Sequence, residues 1–374
     1  MNFHPLKDIL VLSVEQAASA PLASCRLADA GARVIKIERD SGDFARQYDS
    51  VVKGQSTYFT WLNRGKESVR VDLKSDEGRE LFLKMTDKAD VFIQNLAPGA
   101  MNRLELNSEK LRQRNEKLIT CDISGYGEEG EYSRMKAYDN LIQAETGFIS
   151  VTGDGEIMAK AGISIADIST GMHAYSAILE ALIQRDKIGE GVSIKLSMFD
   201  SMADWMMVPW LHQKYGGEAP ERTGVHHAAI APYGPFKTSG GREIMIGIQN
   251  EREWKPFCEL VLDGEISPDD QKYSSNPGRV ANRSSLNQII SKTFERLDYE
   301  DVLSKLKKAG IAFSNLNTMA DFEHHPQLRL TEIESENGPI QIADRPAKFT
   351  GYRSAFKPVP SLGEHDKKIT KEFE

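Results

Sequence analysis

The stretch ILVLSVEQAASAPLASCRLADAGARVIKIE, Ile9–Glu38, decides the fold. Ile9–Val14 is a short, almost wholly apolar run of the kind a buried strand needs. Pro21–Ala30 then reads as a short helix, stopped by Gly31. Arg33–Glu38 is a second β-branched run. The strand–helix–strand order repeats downstream. Val69–Leu73 is extended, Ser75–Ala89 helical and Asp90–Gln94 extended. Ser108–Asn115 is helical, Lys117–Ile123 a strand, and Val192–Met198 continues the series. Strands alternating with helices imply an α/β fold whose parallel sheet has helices on its faces. The turn after the first strand, SVEQAASAP, contains no glycine, so it is not the dinucleotide-binding fingerprint, and NAD is not inferred.

With 374 residues the chain is long enough for two domains. After about Trp210 the pattern changes. A segment rich in Gly, Pro and His (Tyr215–Pro235) precedes a strand at Glu243–Gln249. Helices at Trp254–Leu262, Leu286–Leu297 and Tyr299–Ala309 and a strand at Ile311–Leu316 follow. The expected division is a large domain over 1–205, completed by 332–374, and a smaller α+β domain over 206–331. Pro339–Ile342 reads as extended, and a short helix follows Leu362.

A net charge of −8 argues against nucleic acid as a partner, yet leaves room for an anion held by a few placed cations. Three scattered cysteines, Cys25, Cys121 and Cys258, suit a reducing compartment rather than a disulfide framework or a metal site. The first ten residues lack a signal-peptide pattern. No segment approaches the roughly 18 apolar residues of a membrane helix, so the expectation is a cytoplasmic protein without a membrane partner. The Gly125, Gly127 and Gly130 loop follows a strand but opens no helix, and reads as a surface loop before a phosphate cradle.

Chemistry is concentrated in Ala161–Arg185, AGISIADISTGMHAYSAILEALIQR. Ile168, Met172, Tyr175, Leu179 and Leu182 recur at helical spacing and predict one buried face. Asp167 stands at the expected helix start. Read locally it is an N-cap, and a capping carboxylate can also be a nucleophile. Gly171, one turn on, leaves space for a neighbouring chain or a ligand.

Several patterns occur together in order: RVIKIER (Arg33–Arg39), LNRGKESVRVDLKSDEG (Leu62–Gly78), DVFIQNLAPGAMNRL (Asp90–Leu104), AYDNLIQAETG (Ala137–Gly147), ADISTGM (Ala166–Met172), HPQL (His325–Leu328) and LGEH (Leu362–His365). Together they resemble the class III CoA-transferases, the family of formyl-CoA transferase and carnitine CoA-transferase. The segments YFTWLNRGKES and GIQNEREW resemble the branch acting on short dicarboxylates such as itaconate, mesaconate, citramalate and succinate. The resemblance implies a Rossmann-like large domain and an interlocked homodimer, for which 198–210 and 317–331 are candidate linkers. It also implies transfer of CoA from a donor such as succinyl-CoA to a short acid, with CoA as substrate and no metal or other cofactor. Asp167 would attack the thioester, forming aspartyl anhydride and aspartyl-CoA intermediates. Arg39, Lys74, Asn95, Leu96, Arg103 and Lys136 match positions that line the family's CoA site.

Tyr138 occupies the place where related α-methylacyl-CoA racemases carry a catalytic His. An unperturbed Tyr titrates near 10, too high for easy exchange of an α-proton, so Tyr138 favours transfer over the alternative of racemisation. It is then either a hydrogen-bond donor at the thioester or a packed aromatic. Asp139 takes an acidic position of the transferases. For a second carboxylate on the acceptor, His226, His227, Arg46 and Arg64 are the candidate partners. The Gly-rich loop of formyl-CoA transferase has no counterpart, the region being GVHHAAIAPYGPF (Gly224–Phe236), which puts formyl-CoA and oxalate in doubt. That enzyme's CoA-contacting Gln aligns with Ala18, while Gln16 lies two residues earlier.

Overall fold

The computed structural model describes residues 3–352 and 356–374. The chain separates into two compact units. One comprises Met1–Gly147, Ala161–Met207 and Arg329–Glu374; the other comprises Phe148–Lys160 and Val208–Leu328.

The first unit is built on a six-stranded sheet: β1 (Leu10–Val14), β2 (Arg33–Glu38), β3 (Lys66–Arg70), β4 (Val91–Gln94), β5 (Ile119–Ser124) and β6 (Ser193–Ser197). Their order is β3-β2-β1-β4-β5-β6, and every pairing is parallel. This is the doubly wound order, with its switch point between β1 and β4. Val11, Leu12, Val34, Ile35, Phe92 and Ile93 are fully buried, as strands covered on both faces must be. Helix α1 (Ser19–Asp29) lies on one face, and α2 (Asp76–Lys88), with Phe82 and Met85 in the core, on the other. The third strand lies a few residues before the expected Val69–Leu73. Lys66 and Ser68, which look unlike core residues, are buried there on polar partners.

Two further helices carry the candidate residues Asp139 and Asp167: α3 (Asp139–Glu145) and the 24-residue α4 (Ile165–Ile188). The face of α4 that is buried differs from expectation. Leu182 is buried as expected, together with Ala166, Thr170, Gly171, Ala174, Ile178 and Ala181, whereas Met172 is exposed and Ile168, Tyr175 and Leu179 are only partly covered. Small residues won because α1 approaches closely. A Cβ at Gly171 would lie 2.7 Å from the Ser19 carbonyl oxygen and 2.8 Å from Leu22 Cβ. The space left by Gly171 is therefore filled by the chain itself.

The second unit contains an antiparallel sheet of β7 (Tyr233–Lys237), β8 (Glu243–Gly247) and β9 (Ala312–Asn315), ordered β9-β8-β7. Helices Arg283–Phe294 and Tyr299–Ala309 close its core around Trp254, Phe257 and Phe294. The first of these strands was not legible beforehand, because glycine and proline in YGPFK mask it. Residues 148–160 join this unit through Arg222, which donates to the Ser150 and Gly155 carbonyls. The candidate linker segments are largely helical, at Met198–Trp205, Met207–Leu211 and Met319–Glu323. All three cysteines are buried and free. Among the described residues no helix is long and apolar enough to cross a membrane, and no group of His, Cys, Asp and Glu is arranged to hold a metal ion.

Candidate active site

In the first unit, Asp167 lies in the first turn of α4 but is not its cap. Ser164 occupies the cap position, and its side chain makes no capping bond. The capping carboxylate comes from another helix. Asp139 Oδ1 accepts the backbone N–H of Ala166 at 2.8 Å and that of Asp167 at 3.4 Å. This satisfies first-turn donors that the local chain leaves open. Asp139 Oδ2 accepts from Gln143 Nε2 at 2.6 Å, and Gln143, itself fully buried, accepts the N–H of Ala161 at 2.9 Å. One short relay thus fixes both ends of the approach to α4.

Two carboxylates are thereby placed close together. Burial first, and then the charge of Asp139, push the Asp167 carboxyl up to about 7. Hydrogen bonding from the N–H and hydroxyl of Ser19 pulls in the opposite direction. An aromatic group adjoins them. Tyr58 Oη and Ser164 Oγ are 2.6 Å apart, and Tyr48 meets Tyr58 edge-on at 5.7 Å. Burial, Asp43 and Asp167 push the Tyr48 phenol up to about 12. Tyr138 is 63% exposed at the start of α3, so it is not a packed aromatic within this chain.

A cleft of about 180 Å³ opens at the carboxyl ends of β1–β4, where open α/β sheets bind ligands. Ile37, Val71, Leu96 and Leu104 provide an apolar floor, and Arg39 and Lys74 stand at its edge. The Arg39 guanidinium donates to the Gly42 carbonyl at 3.0 Å and otherwise faces solvent. Arg103, one residue before Leu104, is exposed and donates to the Pro98 carbonyl at 3.4 Å. Lys136 is exposed in the loop after β5. Asn95 has another task. Its Oδ1 accepts the Gln16 N–H, and its Nδ2 donates to the Gln16 carbonyl, both at 2.8 Å. It therefore straps the β1–α1 turn, in which Ala17 holds a left-handed φ of 62°. The Ala17 N–H donates to Asp43 Oδ1 at 3.2 Å. Side chains hold open a turn that glycine shapes in dinucleotide folds.

Beneath this cleft lies a buried ion network that the sequence reading missed. Lys66 Nζ donates to Glu15 Oε1 at 2.6 Å, and Lys36 Nζ donates to Asp43 Oδ2 at 2.8 Å. All four side chains are buried. Burial alone would raise the Glu15 carboxyl, but Lys66 and Lys36 outweigh it and hold it below its ordinary value. Burial likewise opposes the charge on Glu38, yet the Arg46 pair brings that carboxyl down to about 2. The carboxylates lining the cleft are thus largely compensated from within, which lets an anionic ligand approach.

The candidate partners for a second carboxylate are engaged elsewhere. Arg46 grips both oxygens of Glu38 and stacks on Phe59, and Arg64 is buried against Asp29. Both forks are used structurally. His226 and His227 lie in the second unit. The His226 ring meets Phe236 edge-on, and Gly234 makes room for it, since a Cβ there would fall 1.9 Å from His226 Nδ1. His227 stacks on Tyr233 at 5.4 Å and accepts the Ala229 N–H. Burial, and then Arg283, lower the His226 imidazole.

The chain matches the family model for CoA-transferase family III over residues 6–366. It is 32% identical to the acetyl-CoA:oxalate CoA-transferase of Acetobacter aceti, over 99% of this chain and 96% of that one. It is also 32% identical to the succinate–glutarate CoA-transferase of Agrobacterium fabrum, with the same coverage. The crystal structure of a CAIB/BAIF family protein from Brucella suis superimposes with a TM-score of 0.82 at 31% identity, covering 99% of both chains. The alternating fold, the carboxylate pair at the start of α4 and these likenesses lead to one conclusion: the chain belongs to CoA-transferase family III and is a CoA-transferase.

Proposed function

We propose that the enzyme moves CoA from an acyl-CoA donor such as succinyl-CoA to a C4–C5 dicarboxylate such as itaconate, mesaconate or citramalate, with Asp167 as nucleophile. The observation that carries this reading is the placement of Asp167 in the first turn of α4 against Asp139, whose carboxylate accepts the N–H groups of Ala166 and Asp167; that neighbour and desolvation raise the Asp167 carboxyl. A more basic carboxylate is a better nucleophile. Acylation also removes its charge and relieves the repulsion. The Asp167 carboxylate attacks the thioester carbonyl, the C–S bond breaks, and CoA thiolate leaves an aspartyl anhydride. The thiolate attacks the aspartyl carbonyl, releasing the donor acid and leaving aspartyl-CoA thioester. The acceptor carboxylate attacks that thioester, CoA thiolate leaves again, and a second anhydride forms. Thiolate attack on the acceptor carbonyl yields the new CoA ester and frees Asp167. No net proton is consumed.

The cleft at β1–β4 would hold the nucleotide end of CoA. Arg39 and Lys74 would take its phosphates, and the exposed Arg103 and Lys136 are further candidates for them. The preference for a dicarboxylate is supported by relatives named for succinate and glutarate or for mesaconate. We place the enzyme in the cytoplasm as a homodimer whose large unit binds CoA. The test is an exchange assay in deuterated water, with succinyl-CoA and itaconate, mesaconate, citramalate, glutarate, oxalate, formate and carnitine in turn. A new CoA ester of a C4–C5 dicarboxylate, absent with Asp167→Asn, is the expected result. An ester of oxalate or formate alone would overturn the substrate assignment. Deuterium at the α-carbon without any new ester would overturn the reaction.

A further inference from the structure

Helix α3 carries a second polar side chain on the face that bears Asp139. Gln143 lies four residues on, about one helical turn, and is fully buried. A buried primary amide must find partners for both its ends. Gln143 Oε1 accepts the Ala161 N–H at 2.9 Å, and Nε2 donates to Asp139 Oδ2 at 2.6 Å. These partners fix which way the amide faces. Turned over, it would set its NH2 against the Ala161 N–H and its carbonyl oxygen against a carboxylate.

A carboxylate turns readily about its last side-chain bond, so a single partner does not decide the place of each oxygen. Here Gln143 holds Oδ2, and Oδ1 is left to accept the N–H of Ala166 at 2.8 Å and that of Asp167 at 3.4 Å. Ala166 is fully buried, and Ser164 at the cap position makes no side-chain bond. Asp139 therefore supplies the acceptor that the start of α4 lacks from its own segment. We infer that Gln143 is a positioning residue for CoA transfer: acting through Asp139, it holds the first turn of α4, and with it Asp167, in place for attack on the thioester. Its bond to Ala161 extends the hold to the segment leading into α4, which Tyr58 also fastens, its Oη lying 2.6 Å from Ser164 Oγ.

Two substitutions divide the work of the amide. Gln143→Met keeps the length of the side chain and removes both bonds. Gln143→Glu keeps an acceptor for the Ala161 N–H and puts a like charge where the donor to Asp139 stood. The inference rests on Asp167 being the nucleophile, and the test separates the two. Single-turnover acylation by succinyl-CoA is followed by intact mass at pH 8, with folding checked by circular dichroism. The chains compared are the unmodified enzyme, the two Gln143 variants, Asp139→Ala, each Gln143 variant combined with Asp139→Ala, and Asp167→Asn. Both single Gln143 variants are expected to slow acylation about tenfold, as loss of a charge-assisted bond and a displaced nucleophile imply. KM for succinyl-CoA should change by less than about twofold, since Gln143 does not line the β1–β4 cleft. In the Asp139→Ala background either Gln143 substitution should cost little more, because the residue it acts through is gone. An equal fractional loss in both backgrounds would mark Gln143 as merely structural. A Gln143→Glu enzyme acylated at the unmodified rate, or slowed only through KM, overturns the role with the nucleophile reading intact. Acylation of Asp167→Asn at the unmodified rate overturns the nucleophile reading itself, and this inference with it.

Discussion

Two groups of ionisable residues in the same unit, one buried and one half-buried, behave in opposite ways. Under the cleft, Glu15, Lys36, Asp43 and Lys66 are compensated cation to anion within 2.6–3.5 Å. At the start of α4, Asp139 and Asp167 face each other with hydrogen-bond donors but no cation among them. The first arrangement keeps charge in place and lowers Glu15; the second raises Asp167. Compensated charge lies under the cleft proposed to take the nucleotide end of CoA. In the proposed mechanism, acylation of Asp167 would remove one of the two like charges and relieve their repulsion. The difference lies in which partner the fold supplies, since burial disfavours the charge of Glu15 and of Asp167 alike.

That contrast can be broken at either end, and the largest effect should come from the nucleophile. Asp167→Asn should lower CoA transfer by about four orders of magnitude, as loss of a covalent nucleophile does, measured as steady-state exchange of succinyl-CoA with its acceptor. Next is the compensated network. Lys66→Met leaves Glu15 with Lys36 at 3.5 Å as its remaining cation, and removing one partner of a buried pair should destabilise the fold by about 3–5 kcal/mol. Urea unfolding at pH 7 would read it, and a change below about 1 kcal/mol would show that the network is not tightly coupled.

The uncompensated pair should show the reverse sign in stability. The Asp167 carboxyl is raised in the folded state, from 3.8 to about 7. The folded chain therefore binds a proton more tightly than the unfolded chain between those values. Stability from this group is lost as pH rises through that window. Asp167→Asn should accordingly stabilise the fold at pH 8 by about 2 kcal/mol and leave it nearly unchanged at pH 4. Thermal unfolding at the two pH values checks this. The smallest effect belongs to the cleft edge: Arg39→Ala should raise KM for the CoA ester about tenfold with little change in kcat. An unchanged KM would remove Arg39 from the CoA site.

The alternating strands and helices were legible because buried parallel strands are continuous apolar runs, and β2 falls on Arg33–Glu38 as read. The start of α4 was legible only in part. Asp167 in a first turn looks like a cap, but caps can come from elsewhere in the chain, and Asp139 lies 28 residues away. The buried face of α4 was misread because apolar spacing favours large residues, while close packing on α1 selected glycine and alanine. Lys36 and Lys66 look like solvated charges in sequence, since only their long-range carboxylates explain their burial. Arg46 and Arg64 look free for the same reason.

The most direct test is to incubate the enzyme with succinyl-CoA without acceptor, quench it and map the modified peptide by mass spectrometry. A CoA-thioester adduct on Asp167 is expected, formed faster at pH 8 than at pH 6 and discharged by adding the acceptor acid. An adduct on a different residue, or transfer that proceeds at the unmodified rate in Asp167→Asn, would contradict it.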